Sequence, residues 1–443
     1  MQPHAPGDLP ATAPPAPRTP PPAPPQAPAA SPAPAPAPPP GPWAYPPPRA
    51  AWWRRRTVRA VAIAVLLALS GATILAIVRE QTGTDGFLIG LLLATFPVPL
   101  LIAAFRWVGN VEPSPWRTVA FAFAWGACAA TLVAIIANGF TAEWLTTSVV
   151  PDSDADLVGA TVVAPVVEEL AKAAAVLLLF LHRRRFLGGV VDGVVTACVT
   201  ATGFAFTENI LYLGTAYADD QLYAGDGFAA TTAQTFFVRI VMSPFAHPLF
   251  TAMTGIGFGI AAAVSARRRS VRITLPLVGL VTAMVLHALW NGAASSHNGL
   301  HFLLVYALFM MPVLATLVWL TVWSRGRDLR TIRETLHAYA AQGWLHPAEP
   351  WTLGSMHARS QARSLARRVH GKPAARSVAA YHAAATSLAL LRARAERTAT
   401  PPPDFPARES ALLSTLLTHR PQASPPTTTV APVPPHTLLG PWR

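Results

Sequence analysis

From Thr57 onward the chain alternates long apolar runs with short polar connections. Eight runs stand out: about Thr57 to Val78, Phe87 to Val108, Thr118 to Ala137, Val158 to Leu181, Gly189 to Gly214, Phe236 to Val264, Ile273 to Ala293 and Leu300 to Val322. Each is close to the ~20 residues that ~30 Å of hydrocarbon requires of a helix. The connections sort by charge. Arg54 to Arg59, Arg106 with Arg117, Arg183 to Arg185, Arg267 to Arg272 and Arg325 to Arg330 mark every second one, while Asp152, Asp154, Asp156, Asp219, Asp220 and Asp226 lie in the others. Since cytoplasmic loops carry the excess of arginine, this pattern predicts an all-α polytopic membrane protein with about eight transmembrane helices and both termini cytoplasmic.

The flanks read differently. Pro and Ala fill 35 of the first 50 positions, a polyproline-like composition that cannot bury enough surface to fold, so residues 1–52 are expected to be a disordered cytosolic arm. A secretory signal is not expected, because the run after Arg54, Arg55 and Arg56 is too long and lacks a small-residue cleavage site. The membrane domain is expected over 53–323, with a core of chemistry at about 158–294. Beyond Trp323 the chain becomes polar and arginine-rich, predicting a basic helical cytosolic region over 324–420, with helices near 328–342, 373–398 and 408–419. Proline breaks follow, and a disordered tail is expected over 421–443.

Composition narrows the class. The 443 residues are 52% hydrophobic and only 12% charged, with a mean hydropathy of +0.37, which argues against a soluble domain of this size. The net charge of +13 sits in arginine runs beside apolar segments, so nucleic acid is not an expected partner; the lipid bilayer is. Cys128 and Cys198 both lie inside apolar runs and support neither a disulfide framework nor a cysteine-based metal site.

Against this apolar background the ionisable residues of four successive spans are conspicuous. The fourth carries "VVEELAK", with Glu168, Glu169 and Lys172 spaced so that the lysine reaches either carboxylate on a helix. The fifth carries "FAFTEN" with Glu208 and Asn209, the sixth "FAHPLFT" with His247, and the seventh "LHALWNG" with His287 and Asn291. An isolated ion pair would explain the fourth span but not the other three. At ~1.5 Å per residue, Glu168, Glu169 and His247 lie roughly 15–16 Å below the external end of their spans, and Glu208 and His287 about 9–10 Å. All five can meet in one layer of the external half of the bilayer. Asp192 falls near the cytoplasmic end of its span and reads as a helix-end residue, and Arg239, near the external end of the sixth, as a snorkelling side chain.

Carboxylates and imidazoles together can hold a divalent metal and activate water. Without metal, the same set can let a glutamate take the proton of water while His and Asn stabilise an oxyanion, and His287 and Asn291, four apart, share a helix face suited to that. Residue types alone leave both routes open. A third use of such residues is a proton or ion relay in a transporter, but the internal repeat common in transporters is missing between the first and second four spans. A non-catalytic membrane scaffold is the remaining alternative.

The ordered motifs "EELAK", "FAFTEN", "HPLFT" and "HALWN" resemble those of the PrsW family of bacterial intramembrane proteases, distantly related to the CAAX prenyl endopeptidase and bacteriocin-processing superfamily. The resemblance covers roughly Ala160 to Ala293. It implies a multi-pass protein of the bacterial cytoplasmic membrane, a metal-dependent endopeptidase that cuts a single-span membrane-anchored protein, such as an anti-sigma factor, near the external face. The expected division of roles is Glu168, Glu169 and Asn291 in the chemistry, Lys172 and Asn209 in support, and Glu208, His247 and His287 around a divalent metal, with zinc the expected ion, or around the oxyanion. One of Glu168 and Glu169 is the expected base and the other the partner of Lys172.

Overall fold

In the computed structural model the residues described are 56–148, 155, 157–182, 188–223, 230–264, 268–296, 298–396 and 404–432. The expected N-terminal arm and the end of the tail, residues 433–443, lie outside them. The described secondary structure is helical, with no strand. The chain divides into two compact units, one ending at Asp328 and the other beginning at Leu329, and the described part of each is considered by itself.

The first unit is the membrane region. Its helices are α1 (Arg56–Thr95), α2 (Pro97–Val108), α3 (Trp116–Ala124), α4 (Thr131–Ser148), α5 (Ala164–His182), α6 (Val190–Tyr223), α7 (Ala230–Phe236), α8 (Ala246–Ala263), α9 (Arg269–Ser295), α10 (Gly299–Val305) and the start of α11 (Met311–Ala341). Among the described residues six stretches are long and apolar enough to cross a membrane: Thr57–Val108, Trp116–Thr141, Val190–Leu222, Thr231–Ala263, Arg269–Ser295 and Gly299–Ala341. Eight segments were expected. Thr57–Val108 takes in the first two, bent where Gly83 adopts φ 72° and ψ 174°, a conformation open mainly to glycine. The fourth segment is helical as α5, but Glu168, Glu169 and Lys172 make it too polar to join the six.

Helix α6 is the centre of this unit. The window of α6 that defines its apolar stretch is 83% buried, against 17–44% for the other five, so the rest of the bundle packs round it. Close approach is set by small residues, as between membrane helices generally. A Cβ on Gly193 would stand 2.0 Å from Gly255 O, and one on Gly126 only 1.9 Å from Thr200 O, so α8 and the turn after α3 touch the α6 backbone directly. Among the described residues four six- or five-residue π-helical turns interrupt the helices, at Trp125–Ala130, Gly159–Val163, Phe237–Met242 and Tyr306–Met310. Such turns shift helix register and leave backbone carbonyls for side-chain donors.

The second unit comprises the end of α11, α12 (Glu349–Leu353), α13 (Met356–Glu396) and α14 (Phe405–Thr429). Its core holds Ile332, Leu336, Tyr339, Leu353, Val378, Tyr381 and Leu388. Helical structure here is more extensive than expected: α13 begins at Met356 and bends at Gly371 (φ 79°). The tail expected to be disordered from 421 is helical as far as Thr429, despite Pro421, Pro425 and Pro426. Tertiary contacts explain this correction, since Ala423, Pro426 and Thr427 are buried and Thr427 O accepts from Thr352 Oγ1 at 2.7 Å. His382 Nε2 meets Thr427 Oγ1 at 3.1 Å. Burial, with the charges of Arg359 and Arg363 adding to it, pushes the His382 imidazole down to about 3.

Candidate active site in the membrane region

Helix α5 carries the first part of the site. Its spacing puts Glu168 and Glu169 four and three residues before Lys172, on one side of the helix. The Lys172 ammonium is fully buried and reaches Glu168 Oε2 at 3.2 Å, Glu169 Oε1 at 3.0 Å and His247 Nδ1 at 3.2 Å. Below it lies the face of Phe204, 3.8 Å from Nζ to ring centre, a cation–π contact that strengthens when water is excluded. An ammonium has three protons and no lone pair, so all three are directed at acceptors of the site.

The two carboxylates differ. Glu169 has no solvent exposure and is fully held: Oε1 also meets His287 Nδ1 at 3.1 Å, and Oε2 accepts from Thr251 Oγ1 at 2.8 Å. Glu168 is slightly open. Its Oε2 lies 3.8 Å from His287 Nε2, and among the described residues its Oε1 accepts no hydrogen bond. Helices α8 and α9 bring the imidazoles in with ring centres 5.1 Å apart and planes at 90°. Phe250 stacks on His287 at 5.0 Å and Phe204 lies 5.7 Å from His247, so aromatic rings wall the cluster and fix both rotamers.

Glu208, on α6, faces the same cluster from another side. Its Oε2 is 2.7 Å from His247 Nε2 and 2.8 Å from the Arg239 guanidinium. Both are ion-pair distances, but neither approach is aligned as a hydrogen bond. Asn209 Oδ1 accepts from Arg239 Nε at 2.8 Å. Asn291 donates to Ala160 O at 2.9 Å, tying α9 to the π-helical turn before α5.

The structure thus brings Glu168, Glu169, Lys172, Glu208, His247 and His287 into one connected cluster, with Asn209 and Asn291 at its edge. Asp192 lies apart and accepts from Gly188 N at 2.7 Å at the start of α6. Thr251 escaped sequence reading, and Arg239, read there as a snorkelling side chain, turns instead to Glu208 and Asn209. Thr251, four after His247, had a readable signal, since that spacing shares a helix face. Arg239 had a weaker one, an arginine inside an apolar run with no acid on its own helix.

The donor set also bears on a metal. One ligand atom each from Glu168, His247 and His287 falls within 4.8 Å of the others. Imidazole and carboxylate are the ligand types that suit zinc. The surroundings fit as well, because ligating histidines usually donate their second N–H to a carboxylate, as His287 does to Glu169. A possible His/Glu metal site therefore exists here. It differs from the expected ligands by holding Glu168 where Glu208 was anticipated.

Residues 114–317 match the family model described as PrsW family intramembrane metalloprotease. The match extends past the region of motif resemblance at both ends and takes in all of the site residues. No curated protein and no solved structure matches the chain.

Proposed function

Since residues 114–317 belong to the PrsW family of intramembrane proteases, we propose that this protein is an endopeptidase that hydrolyses a peptide bond of a membrane-anchored protein, near the external face of the bilayer. The observation that carries the proposal is the convergence of Glu168, His247 and His287, from three helices, within 4.8 Å inside an otherwise apolar bundle. Such a cluster is costly in lipid and is kept where it has work to do.

In this reading Glu168 handles the proton. It is the carboxylate with an oxygen not engaged by the protein, and it takes a proton from water as the water oxygen attacks the scissile carbonyl carbon. It then returns the proton to the departing amide nitrogen as the C–N bond breaks. Lys172 orients the Glu168 carboxylate through Oε2. Glu169 orients His287, its Oε1 accepting a hydrogen bond from Nδ1–H, so that Nε2 is the unprotonated ring nitrogen. Phe204 and Phe250 exclude water from the inner side, which strengthens every polar interaction within. Should a divalent metal be bound, Glu168, His247 and His287 would hold it, and it would supply carbonyl polarisation and a more acidic water. Asn291, held to Ala160 O, would keep α9 and its His287 at the correct depth.

The test is cleavage of single-span substrates by the purified full-length protein in liposomes, beside metal analysis. Glu168→Gln, His247→Ala and His287→Ala should each lower turnover by about 10²-fold or more. Chelation should abolish cleavage reversibly, with zinc restoring it. Undiminished cutting by Glu168→Gln and His247→Ala would refute the assignment. Ion flux through the same liposomes without proteolysis would favour a transporter.

A further inference from the structure

Arg239 has no part in the reading above, yet its setting is specific. It lies in the π-helical turn Phe237–Met242, within the apolar stretch Thr231–Ala263. An arginine inside an apolar stretch is costly, so snorkelling to the nearer interface would be the expected relief. Instead the side chain turns onto α6. It meets Glu208 Oε2 at 2.8 Å, donates through Nε to Asn209 Oδ1 at 2.8 Å, and lays its guanidinium over the Tyr212 ring at 3.8 Å. Glu208 and Tyr212 are one turn apart on α6, so one helix face forms a socket with an ionic, an amide and an aromatic wall.

A simple charge partner would need only Glu208. The additional contacts fix the direction of the guanidinium plane, and with it the oxygen that Arg239 holds. That oxygen is the one 2.7 Å from His247 Nε2. On the other side of the ring, Lys172 lies 3.2 Å from Nδ1. An ammonium can only donate, so Nδ1 is bare and the ring proton is on Nε2, facing Glu208.

We propose that Arg239 is a positioning residue for the proteolytic site: by clamping Glu208 and Asn209 it keeps the Glu208 carboxylate against His247 Nε2, which leaves Nδ1 unprotonated, as the acceptor facing Lys172 and the other site carboxylates. The "EN" pair of "FAFTEN" thereby gains a physical meaning, as the two acceptors of one guanidinium. The inference rests on the protease reading for its activity arm only.

The experiment uses full-length protein in detergent and liposomes, with Arg239→Gln, Arg239→Lys, Asn209→Ala and His247→Ala beside wild type. Three quantities are read: the nitrogen-15 shifts of His247 in metal-free protein, zinc affinity by chelator competition, and kcat and KM on a cleaved substrate. Loss of a group that orients a metal-binding histidine costs about 10–100-fold in affinity or activity. Arg239→Gln should lose zinc affinity and kcat in that range, with KM within about threefold, and its His247 should become a mixture of tautomers. Arg239→Lys can pair with Glu208 but lacks the fork that also reaches Asn209, so it and Asn209→Ala should fall between, and either one keeps the test open if Arg239→Gln does not fold. Wild-type tautomer, zinc affinity and kcat in Arg239→Gln, or in both milder variants, would overturn the proposal. Wild-type zinc binding and cleavage by His247→Ala would instead overturn the site reading itself.

Discussion

Replacing Lys172 by Met is the sharpest test of how the buried cluster is held. The side chains are similar in length, so packing is nearly conserved and charge is what changes. In the native site the ammonium serves Glu168, Glu169 and His247 at 3.2, 3.0 and 3.2 Å. Each hydrogen bond to a charged group is worth about 1.5–3 kcal/mol, but the three share one donor and do not add. Removing one partner of a buried ion pair costs about 3–5 kcal/mol, chiefly from the charge left behind. Here two carboxylates are left, both buried, so the upper half of that range, about 4–5 kcal/mol, is expected. Glu169 keeps Thr251 and His287, whereas Glu168 keeps only the 3.8 Å approach of His287. The deficit should therefore fall mainly on Glu168, and Lys172→Met with Glu168→Gln should recover roughly half of it. Equilibrium unfolding of the four proteins of this double-mutant cycle in bicelles measures the effect. A loss below about 1 kcal/mol in Lys172→Met, or no recovery in the double variant, would show that the ammonium is not what neutralises these carboxylates.

Three further outcomes follow. Gly126→Val should destabilise by about 3 kcal/mol or more, because its Cβ would meet Thr200 O at 1.9 Å, while Gly139→Ala, with nothing within 4 Å, should be neutral or slightly stabilising in the same unfolding assay. Asn291→Ala should lower kcat by about 10-fold with metal content retained, since it loosens the Ala160 anchor and touches no site carboxylate; unchanged kcat would refute that role. In the second unit, His382 is held down to about 3 from 6.5, so between those values only the unfolded chain binds the proton; stability is complete above pH 6.5 and is lost as pH falls, by about 2 kcal/mol at pH 5. Hydrogen exchange of Met356–Glu396 amides in the full chain should show that slope, and His382→Gln should abolish it.

The helical membrane class was legible because long apolar runs and alternating arginines report directly on hydrocarbon thickness and leaflet charge. The number of spans was less so: a helix hinged at Gly83 and a helix made polar by Glu168, Glu169 and Lys172 both blur the count. The site was legible as a list, since ionisable residues in lipid are expensive enough to stand out singly. Their pairing was not, because pairing depends on register between helices. The π-helical turns at Gly159–Val163 and Phe237–Met242 change that register; Asn291 reaches a backbone carbonyl in the first, and Arg239, within the second, turns toward α6. The proline-containing end of α14 was misread for a related reason, since its partners Thr352 and His382 are distant in sequence.

Charge balance separates the two ways Arg239 can act. The cluster contains three carboxylates, Glu168, Glu169 and Glu208, and two cations, Lys172 and Arg239, leaving one net negative charge when both histidines are neutral. In a medium that screens poorly, a residual negative charge attracts a divalent cation. Arg239→Gln makes the site more negative by one unit, so electrostatics alone predicts tighter zinc binding. Positioning predicts the opposite, because Glu208 is no longer held against His247 and the ring loses its fixed tautomer. Glu208→Gln removes one negative charge while leaving an acceptor for both neighbours, and should weaken zinc binding on either account. The sign of the Arg239→Gln effect, read against that of Glu208→Gln, therefore decides whether the arginine sets the potential of the site or its geometry.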